Sequence, residues 1–345
     1  MKNSSRVVIG LVSVLLTVSG PALRKAQGAD QGVEPICWYG MIPHPYFSLV
    51  QKGAEQAAKD YSVRVYTTLG QEFTQDNETQ NIEALSTRGY KGFSIFPTDP
   101  AGANALFQEL KKRGEFIVAY GAEPNLPTAA SFTVGTDIKG AAMRACEDLI
   151  KIMGDKGNIL NVLEMVTNIN TTRRNEGIKE VVAKHPNVHI IQTVSDMTTV
   201  GEATSKIQGA LAARGQEIDA MIATGYNPTV AAAAILTEWH RDPNHKRIHF
   251  IGIDTDKTVI QAIRGGYIDG TIAQNPFAHG YIPIGLLKLM LDGWKPVKPY
   301  QFVEAGDVLV TKENVDTYEQ EINAITDQIK KDLTAKYLTK DDSKN

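Results

Sequence analysis

Cysteine is scarce in this chain of 345 residues, with two in all, and so is tryptophan, with three. Two cysteines exclude a disulfide-stapled scaffold and any CxxC redox or zinc motif. There is no excess of positive charge, 36 Lys and Arg standing against 39 Asp and Glu, which argues against nucleic acid or an anionic membrane surface as partner. No apolar run reaches the roughly 20 residues that a spanning helix needs. Catalytic signatures are missing too: no Walker loop, no GxGxxG after the first strand, no GxSxG and no HExxH. The stretch HRDPNHKRIH gathers His240, His245 and His249, but in a polar connection between a helix and a strand, where solvated residues are the simpler reading than a metal site. No metal, cofactor or catalytic residue is expected.

What is present begins with Lys2 and Arg6, followed by VVIGLVSVLLTVSG and then AQGAD, small residues that suit signal-peptidase cleavage. A signal peptide over residues 1–28, cut near Gly28 or Ala29, is expected, and with it export to the periplasm. Its loss would remove Lys2, Arg6, Arg24 and Lys25 and no acidic residue, taking the net charge from −3 to −7. Both cysteines stand in apolar settings, Cys37 in the first strand and Cys146 in a helix of the other half, and are expected to remain unpaired small hydrophobes.

Apolar, β-branched runs alternate with amphipathic segments along the whole chain. PICWYG, VRVYTT, GFSIFP, FIVAYG, NILNVLE, VHIIQTV, AMIATG, HFIGID and GTIAQ read as nine strands. Between them fall helical patterns such as FSLVQKGAEQAAKDY and NALFQELKKRG. Strands alternating with helices of this length give β-α-β units and parallel sheets. The rhythm resets near SFTVGTDIKG, where a short extra strand precedes a helix opening at Asp137, so two similar doubly wound α/β lobes are predicted. A monomer is expected, since no further apolar stripe stands out.

These segments carry a family resemblance. IPHPYFSLVQKGAEQAAKDYSVRV, GYKGFSIFPTDPAGANALFQELKKRGEFIVAYG, VGTDIKGAAMRACEDLI, RRNEGIKEVVAKHPNVHII and FIGIDTDKTVIQAIRGGYIDGTIAQNP resemble, in order and spacing, the periplasmic sugar-binding proteins of the ribose-binding type. The resemblance implies a type I periplasmic binding protein: an N-terminal lobe of residues 29–136 plus 275–303, and a C-terminal lobe of 137–274 plus 304–345. Three hinge crossings are implied near Gly135–Thr136, Gln274–Asn275 and Val303–Gly306. It also implies a function: capture of a sugar or related polyol between the lobes and delivery to an ABC importer. The alternative is a ligand-sensing component that docks on a chemoreceptor or sensor kinase.

Sugar hydroxyls call for carboxylates and amides in fixed directions, with aromatic faces against the C–H surface. In open parallel sheets such ligands sit beyond the carboxyl ends of the strands, where Asp254 and Gln274 end two strands of one β-α-β unit. Asp254 could instead cap the following helix, but Thr255 and Asp256 are also available for that; Asp99 and Asp137 read as caps. By resemblance Tyr46 and Phe47 are the aromatic pair, and His44 replaces an Asn. The alternative for Phe47 is to staple its turn to the core, and for His44 to be a solvated turn residue. The family's Asp-Arg pair is absent, Gly121 and Ala122 standing there, with Tyr120 and Glu123 the nearest polar replacements. Thr172 falls at the ligand-binding Arg, so Thr172 or Arg173 is the expected contact, and Arg174 a structural brace. Gly225 takes the place of a ligand-binding Asn, with Tyr226 and Asn227 beside it, and Met197 falls near the second-lobe aromatic. These departures argue against ribose itself and for a larger or modified sugar, a sugar alcohol or a cyclitol. A carboxylate or phosphate on the ligand would require Arg173 to point inward.

Overall fold

The computed structural model describes residues 35–340; the expected signal peptide and the last five residues lie outside them. All nine apolar runs form strands. In the first sheet these are β1 (Ile36–Gly40), β2 (Val65–Leu69), β3 (Gly92–Ile95) and β4 (Phe116–Tyr120), joined by the short β5 (Phe132–Gly135). Helices α1 (Pro45–Asp60), α2 (Gln75–Thr87) and α3 (Ala103–Lys112) connect them. Continuous burial along β1, β3 and β5 shows why these strands read as unbroken apolar runs: both faces of the sheet are covered.

The chain then leaves for a second sheet through α4 (Ile138–Ile152). There β6 (Gly157–Val162), β7 (Val188–Val194), β8 (Ala220–Ala223), β9 (His249–Ile253) and β10 (Gly270–Gln274) alternate with α5 (Ile169–Val182), α6 (Val200–Arg214), α7 (Tyr226–Trp239) and α8 (Lys257–Arg264). It returns through α9 (Pro276–Leu291), forms the two-residue β11 (Lys295–Pro296), adds β12 (Gln301–Glu304) to the first sheet, and crosses again to β13 (Asp307–Val310). The strand orders are β2-β1-β3-β4-β5-β12 and β7-β6-β8-β9-β10-β13, all parallel except β10 with β13.

The sequence placed everything beyond residue 303 in the second lobe, and the structure corrects this. After α10 (Tyr318–Asp332) and a π-helical turn over Leu333–Tyr337, β14 (Leu338–Thr339) pairs with β11. The Tyr337 ring meets Phe132 of the first sheet edge-on at 6.5 Å, and Lys330 stands 4.4 Å over the ring of Tyr281 in α9. Buried apolar contact with the first lobe draws the end of the chain back across. Cys37 in β1 and Cys146 in α4 are both buried.

Candidate functional site

Between the two sheets, beyond the carboxyl ends of their strands, lies a cavity of about 120 Å³. Its first-lobe wall comes from the segments after β1, β2 and β3: Ile42, His44, Tyr46, Phe47, Phe73 and Phe96. These rings pack edge to face, Tyr46 on Phe47 at 5.2 Å and Phe47 on Phe96 at 5.3 Å. His44 is the N-cap of α1 and accepts from the Tyr46 backbone N–H through Nδ1 at 3.2 Å. Burial lowers its pKa against the opposing pull of Asp254. Its neutral ring therefore carries the proton on Nε2.

The Tyr46 hydroxyl lies 2.7 Å from Nδ1 of the fully buried His279, whose Nε2 is 3.4 Å from the Thr136 hydroxyl. Thr136 donates its one proton to the Gly306 carbonyl at 3.3 Å. His279 must then donate from Nε2 and accept at Nδ1, so Tyr46 is the donor. Burial holds His279 neutral, its pKa down at about 3.

The second-lobe wall is polar. Asp254 follows β9 at φ 73, a left-handed conformation that an ordinary side chain adopts only at some cost, and one that clusters at functional sites. Its Oδ1 accepts from Gln274 Nε2 at 2.5 Å, while Asp256 caps α8, accepting from the Thr258 N–H. Glu164, just after β6, accepts at Oε1 from the backbone and side-chain amides of Asn227, both at 3.3 Å. Burial first, and Asp254 second, raise its carboxyl to about 7. Arg174 donates from Nη1 to the Thr224 carbonyl at 3.0 Å; Asn170, one turn earlier on α5, reaches the first lobe at the Gly121 carbonyl, 2.9 Å away. Arg174 Nε and Asn170 Oδ1 are buried and have no protein partner. Buried polar atoms of this kind call for an explanation, and both residues line the cavity.

The structure thus brings His44, Tyr46, Phe47, Met197, Asn227, Asp254 and Gln274 together in one lining. Others of the expected set lie elsewhere. Tyr120, the last residue of β4, is buried, stacked on Trp38 at 5.9 Å, with its hydroxyl donating to the Tyr39 carbonyl. Thr172 is tied to the Val166 carbonyl. Arg173 faces Glu123 across the lobes at 3.8 Å, and Tyr300 holds Glu123 at 2.5 Å. Tyr226 closes the gap between the lobes from outside the cavity, its ring 5.4 Å from His44 and its hydroxyl on Asp256 at 3.0 Å. Arg174, expected as a brace, braces the Thr224 carbonyl and also lines the cavity.

Glu164, Asn168, Asn170, Phe73 and Phe96 were missed. Glu164 is explained by Gly225: its φ of −178 suits any residue, but a Cβ there would come within 2.5 Å of the Glu164 carboxylate. The glycine supplies room, not conformation.

The comparisons with known proteins agree with this geometry. The chain is similar to a xylitol-binding protein of Mycolicibacterium smegmatis, 22% identical over 69% of this chain and 66% of that protein, so the match spans just under two thirds of that relative. A ribose import binding protein of Haemophilus influenzae is 23% identical over 74% of this chain and 84% of its own length. Among solved structures, an ABC transporter solute-binding protein of Burkholderia graminis in complex with D-arabinose superposes with a TM-score of 0.76 at 21% identity, covering 83% of this chain and 97% of that one. The fold is therefore the two-sheet type I periplasmic binding protein fold. The periplasmic binding protein domain matches residues 41–295, three quarters of the sequence, and the chain belongs to that family.

Proposed function

We propose that this substrate-binding protein is exported, captures a neutral sugar or polyol between two lobes without altering it, and presents the closed form to an ABC importer. The first lobe comprises residues 29–136 with 275–303 and takes the C-terminal tail back onto it, and the second comprises 137–274 with β13. The observation that carries the reading is the pairing of a ring-lined wall with a wall of carboxylate, amide and guanidinium groups, in which Arg174 Nε and Asn170 Oδ1 still lack partners. Hydroxyl groups both donate and accept, and so answer each of these groups. Asp254 and Gln274 hold the ligand from the second lobe and the hinge, and Tyr46 and Phe47 cover it from the first.

Charge selects against anions. The lining sets two acidic groups, Asp254 and a Glu164 that is partly protonated near pH 7, against the one guanidinium of Arg174, and Arg173 is turned to Glu123. The relatives' names point the same way, xylitol and ribose both being uncharged.

The test is a thermal-shift screen of the protein from Ala29 onward against pentoses, hexoses, deoxysugars, alditols, inositols and sugar acids. A ligand that binds only the native state raises the melting temperature with its concentration. A neutral hit abolished in Asp254→Ala and Gln274→Ala supports the reading. Stabilisation by sugar acids alone, or by nothing in the panel, rejects it.

A further inference from the structure

We propose that the ligand carries a hydroxyl-free end, a methyl or methylene where a common sugar has a carbinol, and that this end faces the first-lobe wall. The class is a deoxy sugar or deoxypolyol. The inference rests on the sugar reading and narrows it.

The two walls differ too much for a ligand hydroxylated all round. Every ionisable side chain of the second-lobe wall, Glu164, Arg174 and Asp254, stands opposite Ile42, Phe47, Phe73 and Phe96. The first-lobe side offers few polar atoms, and those of Tyr46, Thr98 and His44 are partly or wholly engaged. The Tyr46 hydroxyl proton goes to His279, locked by the chain through Thr136 to the Gly306 carbonyl. The Thr98 hydroxyl, just past Phe96, turns away to the buried Glu78 at 2.7 Å. His44 spends Nδ1 on its helix, and its ring stands 5.4 Å from that of Tyr226, so Nε2–H is the donor it keeps.

Gly121 closes the last route by which this wall could have been polar. Its φ of +69 suits glycine, and a Cβ built there would lie 2.5 Å from the Tyr46 hydroxyl oxygen and 2.9 Å from the Phe96 ring. The next residue, Ala122, is buried, its side chain bears no polar atom, and its N–H is bound to the Tyr120 carbonyl. Tyr46 and Phe96 occupy the volume that a side chain at 121 would need. A hydroxyl pressed against Phe47, Phe73 or Phe96 gives up water and gains no partner, whereas a methyl fills the same place with apolar contact. A site of fixed apolar shape rejects a buried, unanswered hydroxyl by about ten-fold or more.

Matched pairs test this by calorimetric titration of the mature protein: D-fucose with D-galactose, L-rhamnose with L-mannose, 6-deoxy-D-glucose with D-glucose, and 5-deoxy-D-ribose with D-ribose. The expected result is at least one pair whose deoxygenated member binds ten-fold tighter or more, and none with the reverse order. Phe73→Asn, a half-buried position that puts an amide on the apolar wall, should shrink that ratio by at least three-fold. If the hydroxylated members bind equally well or better, the apolar-end inference falls while the sugar reading stands. If no member of any pair binds while an alditol or inositol stabilises the protein, the apolar-end inference falls and the sugar or polyol reading stands; if the wider panel is silent too, both fall.

Discussion

Glu164 shows how one buried acid sets the character of the polar wall. In the unfolded chain its carboxyl loses a proton near 4.5; in the fold, burial and then the Asp254 charge raise it to about 7, although Asn227 and Arg174 pull it down. Between pH 4.5 and about 7 the folded state holds more proton than the unfolded one, so this group's contribution to stability falls as pH rises through that window. Glu78, raised to about 7 chiefly by its own burial, gives a slope of the same sign over the same range. Only a difference isolates Glu164. The melting temperature of Glu164→Gln minus that of the wild type should become steadily more positive from pH 4.5 to 7.5; a constant difference would show that Glu164 titrates in the fold as it does unfolded. Nothing marks Glu164 in the sequence, because what gives it room is the missing side chain of Gly225, some sixty residues on. Arg174 was legible. It repeats with Ile178 and Val181 at helical spacing, and all three are buried on α5, while Arg173 lies about 100° round the helix.

Two helices hold the first-lobe wall in place. α1 opens with His44 as cap and Pro45, and α9 with Asn275 as cap and Pro276, so the aromatic pair and the strand end at Gln274 both stand at helix starts. Their close approach depends on two glycines. A Cβ at Gly53 would overlap the Phe277 carbonyl oxygen, and one at Gly280 would overlap the Val50 carbonyl oxygen, backbone against backbone with no side chain able to yield. Gly280→Ala gains at most about 1 kcal/mol of helix propensity. Overpacking of a tight interface costs about 1–3 kcal/mol, and more where backbones must part. A net loss of stability is therefore expected in chemical denaturation, with weaker ligand binding as Tyr46 and Phe47 shift; an alanine variant as stable as the wild type would show that the helices separate freely. The Gly-Ala pair in α1 was visible in the sequence, but its purpose was not, since α9 is buried on nearly every side and gives no periodic signal of which face meets α1.

Across the whole molecule, the chain passes between the sheets at Gly135–Thr136, Gln274–Asn275 and Glu304–Asp307, and α10 carries it back once more. The crossings are tied to one another: Asn275 donates to the Ala305 carbonyl and to Thr326 of α10, both at 2.9 Å, and Ala305 donates to the Gly135 carbonyl at 2.7 Å. Such a bound hinge leaves the lobes free mainly to open and close against each other. The closed arrangement is held at the rim by Arg173 and Glu123, 3.8 Å apart, each side chain a little under a third exposed. An ion pair of that kind is worth about 0–1 kcal/mol. Because apparent affinity scales with the fraction of molecules able to close, Arg173→Ala should weaken binding by up to about five-fold. Four features identify a latch. The loss is the same factor for every ligand, Glu123→Ala reproduces it, the double variant adds nothing, and high salt shrinks the effect. A loss that differs between ligands would instead put the Arg173 guanidinium on the bound molecule, the role that family resemblance had suggested for it.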